Sequence, residues 1–98
     1  MKKVKFDVEV WTEHYDETED VDVRTNRTKT FDEADYKKAL DYYDKHKQAY
    51  DILYEPEEGG LYSRREVNGK EYWGEYREWR MPSDVLMGIH LDVRVMNC

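Results

Sequence analysis

The sequence predicts a single α+β domain over residues 1–98, with a mostly antiparallel sheet of five or six strands and one main helix packed on one face. Three observations predict this class. Apolar and polar residues alternate in several segments, as in strands that bury one face. One segment, about residues 32–47, repeats its apolar residues at helical spacing instead. An Asn-Gly pair between two further segments indicates a β-hairpin.

The first predicted strand carries an alternating set of apolar residues, Val4, Phe6, Val8 and Val10. Residues 13–22 follow with six acids and no base, and their middle is predicted to be a hairpin loop. A returning strand begins near Val21, whereas residues 25–30 contain no apolar residue and are interpreted as either strand or loop. Pairing of the two strands would bring bases of the second strand near Asp7 and Glu9.

The main helix is predicted to begin at Asp32, a candidate cap whose acidic neighbours suit the positive end of the helix dipole. Its apolar residues at helical spacing form one stripe, Tyr36, Ala39, Leu40 and Tyr43. In residues 50–54 the period becomes two, because Tyr50, Ile52 and Tyr54 alternate with Asp51 and Leu53. This change of period predicts that a strand follows the helix.

Residues 55–60 contain a proline and two glycines and are predicted to form a turn. Two strands then flank Asn68-Gly69. A three-residue loop is favoured because it pairs Glu66 with Lys70, whereas a two-residue loop sets Glu66 opposite Glu71. Residues 82–88 are predicted to hold a single helical turn, and residues 89–95 a last strand. The patterns leave the strand order open.

Charge and cysteine content exclude several classes of function. The formal net charge is −7, and residues 1–60 hold 17 acids against 10 bases, whereas residues 61–98 hold 6 of each. Direct binding to nucleic acid or to an anionic membrane is therefore disfavoured. The one cysteine, Cys98, cannot support a disulfide framework, and no apolar signal-peptide core follows the N-terminus. A reducing, cytoplasmic location is expected.

No catalytic constellation is visible, and the chain is expected not to be an enzyme. The three histidines share no metal-ligand spacing, and neither Ser63 nor Ser83 lies in a nucleophile motif. The acidic run at residues 16–22 lacks the glycine and the spacing of a calcium-binding loop. Neither a metal ion nor a cofactor is therefore expected.

The expected function is a small interaction module whose acidic surface docks on a basic surface of a partner protein. Closely spaced carboxylates can imitate phosphates, so a nucleic-acid-binding protein is the expected partner class and inhibition the expected effect. The predicted contact acids are Asp16, Glu17, Glu19, Asp20, Asp22, Glu57 and Glu58. The candidate aromatic anchors are Trp11, Tyr62, Trp73 and Trp79. A short acidic chain of this kind would suit a phage or mobile-element accessory gene.

Two alternatives use the aromatic residues differently. A small-molecule-binding module would have a pocket between helix and sheet, lined by Tyr43, Tyr72, Trp73 and Tyr76. A homo-oligomer, such as a homodimer, would bury the surplus aromatic residues in a symmetric interface, along the Ile89–Val95 strand if that strand lies at an edge. The default interpretation is that one aromatic face packs on the helix, and that cation–π contacts cover the other through Arg64, Arg65 and Arg77.

Overall fold

A computed structural model describes residues 2–97, so Cys98 lies outside the described residues. The model confirms the α+β class, with five strands and one main helix. The elements are β1 (Lys2–Asp16), β2 (Val21–Asp32), α1 (Tyr36–Leu53), β3 (Glu55–Val67), β4 (Lys70–Met81) and β5 (Val85–Asn97). Short 3-10 turns at Glu33–Asp35 and Pro82–Asp84 precede α1 and β5.

The sheet is antiparallel throughout, with the strand order β2-β1-β5-β4-β3. The alternating apolar residues of β1 and β5 pair across the two strands and share one face, as in Phe6 opposite Val93. Helix α1 packs on that face and buries Ala39 and Tyr43 of its predicted stripe. Because the apolar faces of β1 and β5 lie side by side under the helix, one core serves all three elements.

The two faces of the sheet differ. We call the face opposite α1 the open face; it presents Asp7, Glu9 and Trp11 of β1 and their cross-strand neighbours, and in residues 2–97 no helix covers it. The condition for an interface along the Ile89–Val95 strand is not met, because β5 lies at the centre of the sheet and β2 and β3 are its edges. An interface formed by pairing along β5 is therefore excluded.

Helix α1 is longer than predicted, and the predicted strand at residues 50–54 is wrong. The ring of Tyr50 packs on Trp79 with centroids 5.4 Å apart, and the Asp51 carboxylate accepts a hydrogen bond from the Trp79 indole at 2.8 Å. These contacts with the sheet hold the last turn in helical form, although its sequence alternates like a strand. At the other end Asp32 makes no capping hydrogen bond and pairs with Lys5 instead.

Strand β3 occupies the residues predicted as a turn, so the prediction for residues 55–60 is wrong. Pro56 is tolerated because β3 is an edge strand, where a missing backbone N–H breaks no interior pairing. The pairing with β4 shifts register between Pro56 and Glu58, and again between Leu61 and Ser63. Such β-bulges are typical of sheet edges.

The Asn68-Gly69 hairpin is confirmed, but its predicted three-residue loop is wrong. Val67 pairs with Lys70 and Glu66 with Glu71, which leaves two residues in the loop. Both loop residues have positive φ, 52° and 79°, as a type I′ turn requires. The repulsion between the two glutamates is offset because Glu71 pairs diagonally with Arg64.

Two further segments resolve alternatives left by the sequence. Residues 25–30 are a regular part of β2 and not a loop. Of the two acids expected to have a basic neighbour on β2, Glu9 has one, since the Arg24 guanidinium lies 3.1 Å from its carboxylate. Asp7 is instead bound by Arg94 of β5, at 2.8 Å. The helical turn predicted to end at Gly88 is wrong, since β5 already begins at Val85. The turn before it closes through Ser83 and Asp84, both at positive φ.

Candidate functional site

One end of the sheet gathers many of the acidic side chains. Strands β1 and β4 end there, and β2, β3 and β5 begin there. Successive pairs place Glu13 beside Leu86, Leu86 beside Arg80 and Arg80 beside Glu55, in one row across four strands. The β1–β2 turn extends beyond this row. We call this cluster the acidic end; its members are Glu13, Asp16, Glu17, Glu19, Asp20, Asp22, Glu55, Glu57, Glu58, Glu78 and Asp84.

Few acids of the acidic end are neutralised. Among residues 2–97, only Glu57 and Asp84 of this cluster form ion pairs, and both use Arg80, at 2.8 and 3.7 Å. The hydrogen bonds from Arg80 lower the pKa of the Glu57 carboxyl. Elsewhere on the sheet, acids such as Asp7 and Glu9 each have an arginine partner. The unpaired negative charge is therefore concentrated at one end.

The β1–β2 turn holds its backbone through its own acids. The Asp16 carboxylate accepts hydrogen bonds from the amides of Thr18 and Glu19, at 2.9 and 3.4 Å. Asp20, at a positive φ of 55°, accepts a hydrogen bond from the Tyr15 hydroxyl. Aspartate is well suited to both roles because its short side chain bonds to nearby backbone and tolerates positive φ. The predicted acids Glu17, Glu19 and Asp22 remain exposed.

Glu58 and Glu78 lie directly opposite each other on β3 and β4. Glu58 accepts a hydrogen bond from the Tyr76 hydroxyl at 2.8 Å. Glu78 is half-buried, and burial raises the pKa of its carboxyl, with a further increase from Glu58 and Glu57. Like charges placed opposite each other destabilise a sheet. The acidic end therefore keeps its charge at a cost in stability.

The nearest exposed lysines of β1 are too far away to screen this charge. Lys2 and Lys3 begin β1, whereas Asp16 ends it. Fifteen residues of strand span about 50 Å at about 3.3 Å per residue, in keeping with the 49 Å longest dimension of the molecule. Charges interact only over about 8 Å at physiological ionic strength. In the described range, Arg24, opposite Glu13, and Arg80 are the bases within the acidic end, and its acids outnumber them, so an approaching partner meets net negative charge.

The predicted aromatic anchors are divided between core and surface. Trp79 is fully buried, so its prediction as a surface anchor is wrong; its indole instead donates to Asp51 from inside the core. Trp11 is only 8% exposed. Tyr62 and Trp73 are 48% and 43% exposed, and these two can contact a partner.

Cation–π contacts cover several rings, as the default interpretation expected for Arg64. Its guanidinium lies 4.8 Å from the centre of Trp73. Arg77 has a different role, because its guanidinium donates to both carboxylate oxygens of Asp51 at 3.1 Å. Arg24 covers Trp11 at 4.6 Å, a contact that the sequence did not indicate.

A groove of about 710 Å³ runs between α1 and the first half of β3. Tyr43, Trp73 and Tyr76 line it, as predicted for a ligand pocket, whereas Tyr72 packs on Phe6 at 5.3 Å. The Tyr43 hydroxyl is buried and has no hydrogen-bond partner in the described part of the chain. Burial raises the pKa of Tyr43, so its hydroxyl stays protonated.

Sequence reasoning missed Glu13, Glu55 and Glu78 as members of the acidic end. Glu13 begins the acidic run of residues 13–22 and Glu55 lies in the predicted turn, but neither of them was among the predicted contact acids, and nor were Glu78 and Asp84. The strand order brings the three glutamates together from β1, β3 and β4. A correct pairing of β1 with β5, of β5 with β4 and of β4 with β3 would have revealed their proximity. In that arrangement Glu13, Glu55 and Glu78 lie at the same end of the sheet.

Three findings bear on the class of site. Over residues 2–97, no group of three or more histidine, cysteine, aspartate or glutamate side chains is placed to bind a metal ion. None of the helices in that range combines the length and the apolar character needed to cross a membrane. Comparisons with protein-family models, with curated proteins and with solved structures find no match.

Proposed function

We propose that this protein is a non-catalytic interaction module that binds a basic surface of a partner protein through its acidic end. The supporting observation is that, within residues 2–97, the acids of the β1–β2 turn form no ion pair, and that they share one end of the sheet with Glu57 and Glu58. Residues almost 40 positions apart in sequence thus act on the same approaching surface.

A nucleic-acid-binding protein is the proposed partner class. Lysine and arginine side chains that contact phosphates also bind carboxylates, through charge-assisted hydrogen bonds. A concentrated negative field accelerates the encounter with such a surface and makes binding sensitive to salt. Occupation of the phosphate-binding surface would inhibit the partner. A cytoplasmic accessory protein of a phage or mobile element would suit this role.

The acids of the β1–β2 turn allow a matched test. A variant with Glu17→Gln, Glu19→Gln and Asp22→Asn removes three exposed charges and leaves the hydrogen bonds of Asp16 and Asp20 in place. The control variant removes three exposed charges elsewhere, Glu33→Gln, Asp41→Asn and Glu66→Gln. Both variants change the net charge by the same amount, so they separate position from total charge.

The measurement is affinity capture from lysate, followed by direct binding of the captured protein at 50 and 200 mM salt. We expect the wild type and the control variant to capture a basic nucleic-acid-binding protein. The variant with the three substitutions in the β1–β2 turn should not capture it. Affinity should fall at least about tenfold over this salt range, and nucleic acid should compete. Salt-independent capture, or equal effects of the two variants, would contradict the proposal.

A second candidate function is the binding of a small molecule in the groove beside Tyr43. The unpaired hydroxyl of Tyr43 favours it, because a ligand with a hydrogen-bond acceptor would satisfy that donor. A thermal-shift screen of nucleotides and metabolites would test it on the wild type and on Tyr43→Phe. A ligand of the groove should raise the midpoint of the wild type more than that of the variant. Equal shifts, or none, would rule this candidate out.

A further inference from the structure

A smaller cavity, of about 220 Å³, lies on the open face beside the acidic end. Four aromatic rings, one arginine and one carboxylate form its walls. These residues are Trp11, Tyr62, Tyr76, His90, Arg24 and Glu78, and Ile89 completes the lining. This combination of aromatic faces and a carboxylate is the environment in which proteins bind organic cations.

The chain already binds one guanidinium of its own beside this cavity. The Trp11 ring lies flat over Gly88, where a methyl group would be 2.3 Å from the indole. The Arg24 guanidinium lies over the same ring, 4.6 Å from its centre, and donates to Glu9 at 3.1 Å. One arginine is thus held between an aromatic ring and a carboxylate, and Trp11, only 8% exposed, offers little surface to a second one.

The neighbouring aromatic ring keeps a free face. Tyr62 stacks on His90 with centroids 4.2 Å apart and planes 7° apart. His90 covers only one side of this ring, and 48% of Tyr62 is exposed. Burial lowers the pKa of His90, so its imidazole is uncharged at neutral pH and does not repel a cation. Tyr76 meets Tyr62 edge-on at 6.5 Å and closes another side of the cavity.

The carboxylate in the cavity belongs to Glu78, one of several acids of the acidic end that form no ion pair in the described residues. Within the part of the chain described, Glu78 accepts no hydrogen bond and forms no ion pair. Glu58 lies directly opposite it, so negative charge is doubled at this point of the sheet. A cation placed there would relieve the repulsion and gain a charge-assisted hydrogen bond.

We propose that this cavity accepts an arginine side chain of the basic partner, with its guanidinium stacked on the free face of Tyr62 and hydrogen-bonded to Glu78. The inference rests on the proposed function and names the anchor residue that the partner must supply. Arginine fits better than lysine because its planar guanidinium can stack on a ring and bind a carboxylate through two donors at once. The cavity would then be the desolvated centre of an interface whose charged rim is the β1–β2 turn.

The probe is the capped peptide acetyl-Gly-Arg-Gly-amide, titrated at constant chloride concentration and followed by NMR. We expect saturable shifts of the Glu78 and Gly88 amides and of the His90 ring. The lysine peptide should bind about tenfold more weakly, and the neutral citrulline peptide should not saturate. Equal binding of the lysine peptide, or shifts confined to the β1–β2 turn, would overturn the assignment.

Two variants make the test specific. Glu78→Gln should weaken binding of the arginine peptide about tenfold or more. Glu66→Gln is the matched control, because Glu66 also faces another glutamate across β3 and β4 but lies at the distant hairpin turn. It should leave the affinity unchanged. Equal losses in the two variants would overturn the proposal, and amide spectra that match the wild type outside the cavity establish that both fold.

The peptide titration and the lysate capture fail independently. Suppose that the wild type and Glu78→Gln bind the captured partner with equal affinity, and that the peptide shows no saturable binding. These two results would overturn the arginine site but would not contradict the proposed docking function. Absence of any salt-sensitive basic partner would overturn the docking function itself, whatever the peptide does.

Discussion

Replacement of Asp51 by leucine should destabilise the protein more than any exposed acid-to-neutral change on the same helix. Asp51 joins the last turn of α1 to β4, because its carboxylate accepts hydrogen bonds from the Trp79 indole and from Arg77. Leucine is similar in size and a better helix former than aspartate. The measured change therefore reports the lost contacts.

The expected magnitude follows from the burial of each partner. Trp79 is 0% exposed, so its N–H would lose its acceptor inside the core, at a cost of about 1–3 kcal/mol. Arg77 and Asp51 side chains are 31% and 30% exposed, so their pair adds up to about 1 kcal/mol. After a gain of about 0.5 kcal/mol in helix propensity, the middle of these ranges gives a cost of about 2 kcal/mol for Asp51→Leu. Asp51→Asn keeps an oxygen for the indole and should cost about 1 kcal/mol.

The assay is urea unfolding followed by far-ultraviolet circular dichroism, which avoids direct effects of the substitution on Trp79 fluorescence. In a thermal melt followed by the same signal, each 1 kcal/mol lost from the free energy of unfolding should lower Tm by about 4–8 °C for a domain of this size. Asp44→Asn is the control, because Asp44 is 53% exposed and lies 3.6 Å from Lys47; its effect should stay below about 0.5 kcal/mol. The reasoning is refuted if Asp51→Leu costs no more than Asp44→Asn, or no more than Asp51→Asn.

Three further substitutions test other parts of the structure. Tyr43→Phe removes an unpaired buried hydroxyl and should raise the free energy of unfolding by about 1 kcal/mol in urea; a loss would mean that the hydroxyl has a partner. Gly88→Ala forces the Trp11 ring off the sheet and should cost about 1–3 kcal/mol, most of it absent in a Trp11→Leu background. Glu78→Gln should stabilise the protein at neutral pH. Folding raises the pKa of Glu78, so the ionised carboxylate destabilises the wild type at pH values above the folded-state pKa. The difference in free energy of unfolding between variant and wild type should therefore vanish as pH falls below the unfolded-state pKa, and urea titrations at several pH values would measure it.

Local patterns were sufficient for the elements that bury one continuous face. Alternation identified β1 and β5, and helical spacing identified the stripe of α1 that includes Ala39 and Tyr43. These predictions succeeded because burial of a strand or helix face imposes its own period on the sequence. The same reasoning failed at residues 50–54 and 55–60, where a contact with Trp79 and a position at the sheet edge outweighed local preference.

The hairpin at Asn68-Gly69 shows the same limit on a smaller scale. Its existence was predictable from the turn residues, but its register was not, because Glu66 opposite Glu71 is unfavourable when that pair is considered alone. The backbone preference of a two-residue turn and the diagonal contact of Arg64 with Glu71 decided the outcome.

The candidate site divides in the same way. The sequence by itself determined that negative charge is in excess, that it is densest at residues 16–22, and that aromatic residues are plentiful. Only the tertiary structure decided that Glu55, Glu58 and Glu78 join that run at one end of the sheet, and that Trp79 is core while Tyr62 is surface. The physical reason is that charge and side-chain type belong to single residues, whereas proximity depends on which strands pair and in what register.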